Sequence, residues 1–249
     1  MVRSMISAAS LSLLILSACA KSGDENATAV NDSLPPAGAD GNAADPDVVV
    51  PAGGIRVQGW TGRLDPQAAK SGKTLSDASF DLAGDTLRVV SGPAAIYWNP
   101  TNTARGNYTV SATFTQNQKS AHAEGYGLIL SGNNLEKPNQ GYLYFLVRQD
   151  GKFLINHRAS DTEIHKYVDW TSNFAVKTPG SDGTATNALS IAVGDKALSF
   201  KVNGKEVKSL PRSTIDSGGP NSGTSGIFGL RVNHNLNVSV QGLTSKPQG

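Results

Sequence analysis

Aromatic and basic side chains that could hold a ligand are concentrated in residues 141–158. An Asp150-Gly151 pair divides this segment, and Asp-Gly is typical of a two-residue hairpin turn. Such a turn sets Tyr144 directly opposite His157. Sugars present apolar C–H faces and ring hydroxyls, so aromatic rings beside hydrogen-bond donors suit them. The candidate ligand-binding residues on this face are Tyr142, Tyr144, Arg148 and His157, which Trp170 and His234 join from neighbouring loops.

The same residues could instead complete an apolar core, as most buried aromatic residues do. Tyr144 would then be fully buried, and its replacement by alanine would destabilise the protein as much as Phe145→Ala does, by about 3–5 kcal/mol. The site would have to lie in the loops around His122, Trp170 and His234. On the ligand-binding interpretation, Tyr144→Ala weakens binding by about 1–3 kcal/mol. Binding then also changes between about pH 5 and 8, where the imidazole of His157 titrates.

Histidine and carboxylate residues occur at alternate positions twice, in His122-Ala-Glu124 and in Asp161-Thr-Glu163-Ile-His165. Alternate residues of a strand project to one side, so each group could place possible metal ligands together. A zinc site needs at least a third protein ligand, and no Cys/His cluster supplies one. We therefore assign no metal ligand and no cofactor. A structural calcium ion held by loop carbonyls has no signature that a single sequence reveals.

From Ile55 onward, the sequence has the pattern of an all-β protein. Short apolar runs recur every 8–12 residues or so, separated by Gly, Asn, Asp and Pro. The clearest strand is 108–115, where Tyr108, Val110, Ala112 and Phe114 alternate with hydroxyl residues, as expected for a sheet with one buried face. Besides this strand and the hairpins described below, we expect strands at 86–90, 94–98, 125–131, 226–232 and 236–242. About eleven or twelve short antiparallel strands, with no helix beyond a turn at 66–70, predict a two-sheet sandwich over residues 55–249.

Three turn sequences predict the register of neighbouring strands. Gly194-Asp195 and Asn203-Gly204, taken as two-residue turns, build a three-stranded meander from 187 to 210. The Asp150-Gly151 hairpin has two largely apolar faces, so we expect it in the middle of a sheet. The predicted pairs in the meander are Ile191 with Leu198, Leu189 with Phe200, Phe200 with Val207, and Lys201 with Glu206. The predicted core-facing residues of the hairpin are Leu143, Phe145, Val147 and Leu154.

A series of motifs from Trp60 to Leu243 resembles a group of exported bacterial proteins with a concanavalin A-like, laminin-G-like jelly roll. The chain is similar, more distantly, to the 3-keto-disaccharide hydrolase domain and to laminarinase-type glycoside hydrolases. The resemblance implies a fold and assigns no functional residue. The motifs are Gly92-Pro93-Ala94-Ala95-Ile96-Tyr97-Trp98-Asn99-Pro100, Gly106-Asn107-Tyr108-Thr109-Val110, Tyr126-Gly127-Leu128-Ile129-Leu130, Tyr142-Leu143-Tyr144-Phe145-Leu146-Val147, Asp150-Gly151-Lys152-Phe153-Leu154-Ile155 and Gly229-Leu230-Arg231-Val232-Asn233-His234.

The catalytic motif that this resemblance would imply is missing. A retaining glycosidase needs two carboxylates about 5 Å apart, and laminarinase-type enzymes place them in Glu-x-Asp-x-Glu on one strand face. The glutamates after Ile55 are Glu124, Glu136, Glu163 and Glu206, and none has that spacing. Lys201 already provides a structural reason for Glu206. Carboxylates distant in sequence could still converge, so an enzyme stays open, although the sequence favours a protein without catalytic activity.

The N-terminus has the pattern of a lipoprotein export signal. Arg3 precedes an apolar stretch that ends in Leu16-Ser17-Ala18-Cys19, and Cys19 is the only cysteine of the chain. This stretch is too short for a membrane-spanning helix, and it resembles the lipobox that signal peptidase II recognises. We predict a signal peptide over residues 1–18 and lipidation of Cys19. Ala20 follows the cysteine, which favours the outer membrane of a diderm host, on its periplasmic or surface side.

Charge is unevenly distributed along the chain. Residues 20–54 contain one lysine and six acidic residues, a net charge of −5, and are rich in Ala, Gly, Asn and Pro. We predict that 19–54 is a flexible acidic linker, because it has no hydrophobic periodicity that could offset the entropy of ordering. Since the whole chain carries +2 and Arg3 supplies one positive charge, residues 55–249 carry +6. These charges form no Lys/Arg-rich run, so we expect no nucleic-acid partner.

Three functions remain compatible with these features. The one we favour is a non-catalytic module of the cell envelope that binds a glycan, such as an envelope polysaccharide, or another envelope component. The second is a glycoside hydrolase-like enzyme that acts on a sugar derivative, and the third is a structural envelope protein without a ligand. Lipidated Cys19 is the only membrane contact expected, and the sequence predicts no oligomeric state.

Overall fold

Two sheets face each other across an apolar core in the computed structural model, which describes residues 46–219 and 221–248. In spatial order, the first sheet comprises β1 (Gly54–Ile55), β3 (Ala78–Ala83), β4 (Thr86–Ser91), β15 (Asn237–Pro247), β6 (Tyr108–Gln116), β11 (Ala185–Val193), β12 (Ala197–Val202) and β13 (Lys205–Pro211). The second comprises β10 (Ile164–Ser172), β9 (Lys152–Arg158), β8 (Gly141–Arg148), β7 (Gly125–Asn133), β14 (Gly226–Val232), β5 (Ala95–Ala104) and β2 (Thr61–Leu64). The fold class is therefore the predicted all-β jelly-roll sandwich.

All neighbouring strands pair antiparallel except β1 and β3, which pair parallel. The helical elements in the described residues are α1 (Pro66–Lys70), a 3-10 turn (Leu75–Asp77) and α2 (Arg212–Asp216). Helix α1 occupies the segment 66–70, in which the sequence suggests a helical turn. None of the described helices has the length and apolar character that crossing a membrane requires.

Alternating residues of β6 show how the core is built. Tyr108, Val110, Ala112 and Phe114 are buried, and the hydroxyl residues between them are partly exposed, as predicted. Across the core, the ring of Phe145 on β8 contacts Phe200 on β12, with 5.4 Å between centroids. Burial of such rings from both sheets supplies most of the stabilisation, at roughly 25 cal/mol per Å² of apolar surface.

The register of the β8–β9 hairpin differs from the prediction. The turn contains three residues, 149–151, because Gly151 has a φ of 80° and its N–H donates to the carbonyl of Arg148 at 3.1 Å. A type I turn followed by a left-handed glycine is a known three-residue hairpin. Arg148 therefore pairs with Lys152, and Tyr144 pairs with Asn156 instead of His157. One extra turn residue reverses the two faces of β9 relative to β8.

This reversal corrects the predicted face assignments. Phe153, Ile155 and His157 lie on the core side with Leu143, Phe145 and Val147, whereas Leu154 moves to the opposite side with Tyr142, Tyr144 and Arg148. The hairpin does lie in the middle of its sheet, as expected, because β10 and β7 flank it.

The meander β11–β12–β13 is confirmed with a different register. Four residues, 194–197, lie between the last paired positions, Val193 and Leu198, and Gly194 N–H donates to the Ala197 carbonyl at 2.9 Å. Ile191 therefore pairs with Phe200 and Leu189 with Val202. This shift by two residues keeps each side chain on its predicted face. Lys201 pairs with Glu206, as predicted, but a bulge next to it sets Phe200 opposite Lys208 instead of Val207. The Glu206 carboxylate accepts a hydrogen bond from Ser199 Oγ.

Strand β10 was not predicted from the sequence, and it carries a candidate site residue. The described residues contain fifteen strands, and β1, β2, β3 and β10 have no counterpart among the strands that we expected. Charged residues and two register shifts interrupt the alternation of β10, which hides it from periodicity. Trp170, which we expected in a loop, belongs to this strand.

The chain enters the sandwich next to the β14–β15 turn. Val48 N–H donates to Asn235 Oδ1 at 2.7 Å, and Asn235 Nδ2 donates to the Pro46 carbonyl at 3.1 Å. These contacts involve the last part of the predicted linker. The predicted signal peptide, Cys19 and residues up to 45 lie outside the described part of the chain.

Candidate functional site

The side of the seven-stranded sheet that faces away from the core carries a second set of buried residues. We call this side the outer face. Its apolar members lie on β5, β7, β8 and β9 and in the loop after β7: Ile96, Trp98, Ile129, Leu135, Tyr142, Tyr144, Leu146 and Leu154. Trp170 and Ile227 pack against them while staying partly exposed. The outer face is thus a partly apolar surface with buried polar groups between its aromatic rings.

Charged residues from three distant segments meet on the outer face. Asp65 follows β2 and accepts hydrogen bonds from Arg231 Nη1 at 2.7 Å and Nη2 at 2.5 Å. The Tyr142 hydroxyl accepts from Arg231 Nη1 and from Arg158 Nε, each at 3.1 Å. Tyr144 Oη accepts from Asn156 Nδ2 at 3.3 Å. Both tyrosines are therefore bound into a hydrogen-bonded network.

Burial shifts the pKa values of this network. Desolvation alone would raise the pKa of Asp65, but the attraction and hydrogen bonds of Arg231, with smaller effects of Arg158 and Arg63, hold it below its usual value. Burial raises the pKa of Tyr144 to about 12. At neutral pH, Asp65 is ionised and the Tyr144 hydroxyl keeps its proton.

Tyr142 and Tyr144 belong to this buried cluster, with 1% and 0% of their surface exposed. The burial of Tyr144 meets the criterion set out from the sequence for a structural role. The side chain of His157 lies on the core side, where Nε2 contacts the Asn221 carbonyl at 3.2 Å and the ring lies 5.5 Å from that of His165. Burial, followed by the effect of His165, lowers the pKa of His157. His157 and Tyr144 therefore do not form one surface.

The remaining candidates meet at one end of the outer face. Trp170 on β10 packs over Gly125, where a Cβ atom would lie 2.9 Å from the indole, so only glycine allows this close approach. The guanidinium of Arg148 lies 4.4 Å from the centre of the Trp170 ring, in a cation–π arrangement. Arg148 Nε also donates to Asp150 Oδ1 at 2.8 Å. The ring of Trp170 is thus held in place while part of it stays exposed.

A histidine lies between two carboxylates at the same end. His234 Nε2 is 2.7 Å from Glu124 Oε1, and its Nδ1 is 3.5 Å from Asp47 Oδ1. Glu124 directly precedes Gly125 and is 4% exposed. Its second oxygen, Oε2, is buried and has no hydrogen-bond partner among the described residues. We call Glu124, Arg148, Trp170 and His234 the Trp170 end.

His122 lies close to this end, because its carbonyl accepts from Gln149 Nε2 at 3.2 Å, next to Arg148 in the chain. Glu124 bonds to His234, and Glu163 Oε1 lies 2.8 Å from His165 Nε2. In residues 46–219 and 221–248, no three His, Cys, Asp or Glu side chains are grouped so that they could hold a metal ion.

The sequence does not identify three residues of the outer face and its Trp170 end. Glu124 lies in a polar stretch that is typical of a solvated loop, and no motif singles out Asp65 or Arg231. Arg231 had a detectable signal, since it follows Gly226-Ile227-Phe228-Gly229-Leu230, and an arginine inside an apolar strand is rarely buried unless it is paired. The identity of its partner, 166 positions away, was not readable.

The comparisons with known proteins support the fold. No family model matches this chain, and no curated protein sequence matches it. Among solved structures, it is similar to the carbohydrate-binding module CBM66 from Bacillus subtilis, with a TM-score of 0.51 and 11% identity, covering 77% of this chain and 98% of that one. It is also similar to a protein of unknown function with a galectin-like fold from Bacillus subtilis, with a TM-score of 0.53 and 11% identity, covering 76% and 89%. The described part of the chain therefore has a β-sandwich fold similar to those of a carbohydrate-binding module and a galectin-like protein.

Proposed function

We propose that this protein is a cell-envelope lipoprotein whose β-sandwich binds a glycan without catalysis, at the Trp170 end of the outer face. The observation that carries the proposal is the combination found there. A partly exposed indole ring, stacked with a guanidinium, packs over Gly125, and the preceding residue, Glu124, is a buried carboxylate whose second oxygen lacks a partner among the described residues.

This combination matches the two surfaces of a sugar ring. The indole offers an apolar platform for the C–H face of the sugar, and the guanidinium stacked on it places a polar group close to the ring hydroxyls. A buried carboxylate oxygen without a hydrogen bond costs about 1–3 kcal/mol or more, and a ligand hydroxyl that donates to Glu124 Oε2 would remove that cost. The similarity of the fold to that of a carbohydrate-binding module supports the same function.

A glycan array with the full chain tests this function. We expect the protein to bind at least one polysaccharide. Prolonged incubation with that polysaccharide should release no oligosaccharides. Released oligosaccharides would instead support the glycoside hydrolase-like alternative. A complete lack of binding across neutral and charged glycans would support a structural envelope protein and would contradict the proposal.

The membrane attachment is proposed on the lipobox alone. We expect Cys19→Ala to abolish incorporation of radiolabelled palmitate and to move the protein from the membrane fraction to the soluble fraction, because the thiol is the acceptor of the lipid. Ser17→Ala, one position before the end of the signal, is the matched control and should stay membrane-bound. Unchanged membrane retention of the Cys19→Ala protein would refute the anchor.

A further inference from the structure

Most arginines of the outer face have a carboxylate of their own. Arg231 bonds to Asp65, Arg148 to Asp150, and Arg63 to Asp161, whose other oxygen accepts from Gln140. Each of these three carboxylates therefore already has an arginine partner. Arg158 is the exception.

Arg158 is 3% exposed and yet has no carboxylate hydrogen bond in the described part of the chain. Its donors go to the Tyr142 hydroxyl at 3.1 Å and to the carbonyls of Ser160 and Asp161 at 3.3 and 3.4 Å. The nearest carboxylate oxygen, Asp65 Oδ2, lies 3.8 Å from Nη2 and already accepts from Arg231. A buried cation normally has its own counter-charge, because desolvation is costly.

A second cation lies diagonally across from Arg158. Lys166 on β10 pairs with Asn156, and Ile164 pairs with Arg158. The ring of the intervening His165 contacts His157 on the core side, so Lys166 projects to the outer face, where it is exposed. Among residues 46–219 and 221–248, no carboxylate forms an ion pair with Lys166. Two like charges in diagonal cross-strand positions repel each other.

Asn156 is next to both cations, opposite Lys166 and two positions before Arg158, and has a buried acceptor. Its Nδ2 donates to the Tyr144 hydroxyl, but its Oδ1 is buried and has no hydrogen-bond partner among the described residues. An anion would stabilise the two cations, and a hydrogen-bond donor would satisfy the amide oxygen of Asn156. One ligand that satisfies both is a sugar with an acidic group next to a hydroxyl.

We propose that the glycan of this site is acidic, and that a carboxylate on its sugar ring binds between Lys166 and Arg158 while a neighbouring hydroxyl donates to Asn156 Oδ1. This inference rests on the proposed function. Lys166 provides the exposed contact, and Arg158 stabilises the anion from beneath, where the low dielectric strengthens its field. Trp170, four positions beyond Lys166 on the same strand, offers a platform for the adjoining sugar.

The test compares uronate polymers with their uncharged forms. Isothermal titration calorimetry of the full chain is carried out with polygalacturonate, alginate and hyaluronate, each beside its carboxyl-reduced product, and with dextran sulfate beside dextran. We expect at least one uronate polymer to bind about tenfold or more tightly than its reduced product, since a hydrogen-bonded charge pair is lost on reduction. Lys166→Gln and Arg158→Gln should each remove most of this difference.

Lys201→Gln is the matched control, because Lys201 is on the eight-stranded sheet and its loss should leave the preference unchanged. Arg158→Lys keeps the buried charge and should keep the preference, and Lys166→Gln, at an exposed position, carries the test if Arg158→Gln does not fold. Equal binding of charged and reduced polymers, or tighter binding of dextran sulfate than of any uronate, overturns the carboxylate assignment while the glycan-binding function stands. Binding of neutral glycans alone also overturns the carboxylate assignment and leaves the glycan-binding function standing. A lack of binding to every polymer removes both proposals.

Discussion

Replacement of Asp65 by asparagine is expected to lower the free energy of unfolding by about 3–5 kcal/mol. The substitution keeps the shape of the side chain but leaves the guanidinium of Arg231 in a buried environment without its paired charge. Asp65 also contributes to the field around Arg158, so the loss affects both cations. Urea denaturation followed by intrinsic fluorescence measures the change. Asp216→Asn, which breaks an ion pair within α2, should cost no more than about 0.5 kcal/mol.

The same substitution should alter the dependence of stability on pH. The folded state holds the pKa of Asp65 below its unfolded value of about 3.9, so the ionised carboxylate stabilises the protein above that pH. This contribution is lost as the pH falls through the folded pKa. We therefore expect the unfolding free energy of the native protein to fall more steeply below about pH 4 than that of the Asp65→Asn protein. Parallel profiles would show that the Asp65–Arg231 pair contributes little.

Trp170→Ala is expected to weaken glycan binding by about 2 kcal/mol or more, roughly thirtyfold, because aromatic anchors dominate binding energies. The partly exposed indole is the aromatic ring of the Trp170 end, and its removal also takes away the ring on which Arg148 stacks. Calorimetric titration with the tightest glycan from the array measures the loss. Circular dichroism shows whether the strand β10 persists in the variant.

Phe174→Ala provides the matched control for Trp170. Phe174 lies four residues further along the chain and is 84% exposed, with Lys205 Nζ 4.6 Å from its ring centre. Its removal should leave the affinity within about twofold, since an exposed residue away from a site usually changes energies by no more than about 0.5 kcal/mol. Equal losses for both variants would argue against a site at Trp170, as would an unchanged affinity of the Trp170→Ala protein.

The sandwich was readable from the sequence because its signals are local. Alternation along residues 108–115 and turn residues such as Asn203-Gly204 depend on neighbours in the chain, and both predict structure correctly. The assignment of side chains to the two faces of 141–158 was wrong because the sequence does not determine the length of the turn. Asp150-Gly151 fits a two-residue and a three-residue turn equally well, and composition does not distinguish them when both faces are apolar.

The candidate site was only partly readable, because it depends on contacts between distant residues. Arg148, Trp170 and His234 were singled out by residue type, and the structure brings them together. Glu124 reaches His234 across 110 positions, and Asp65 reaches Arg231 across 166. No periodicity encodes such distances. The sequence can indicate only that an arginine in an apolar strand needs a partner.

The β8–β9 hairpin determines where this protein can tolerate a change of chain length. An exposed hairpin loop usually accepts such a change, since it makes few contacts. Loss of one residue from the turn at 149–151 would leave Arg148 opposite Lys152 across a two-residue turn, so every side chain of β9 would keep its face. Loss of one residue inside β9, such as Phe153, would instead place Leu154, Asn156 and Arg158 in the core and turn Ile155 and His157 outward. Single-residue deletions within β9 should therefore be as damaging as core substitutions, whereas deletions in the turn should be tolerated.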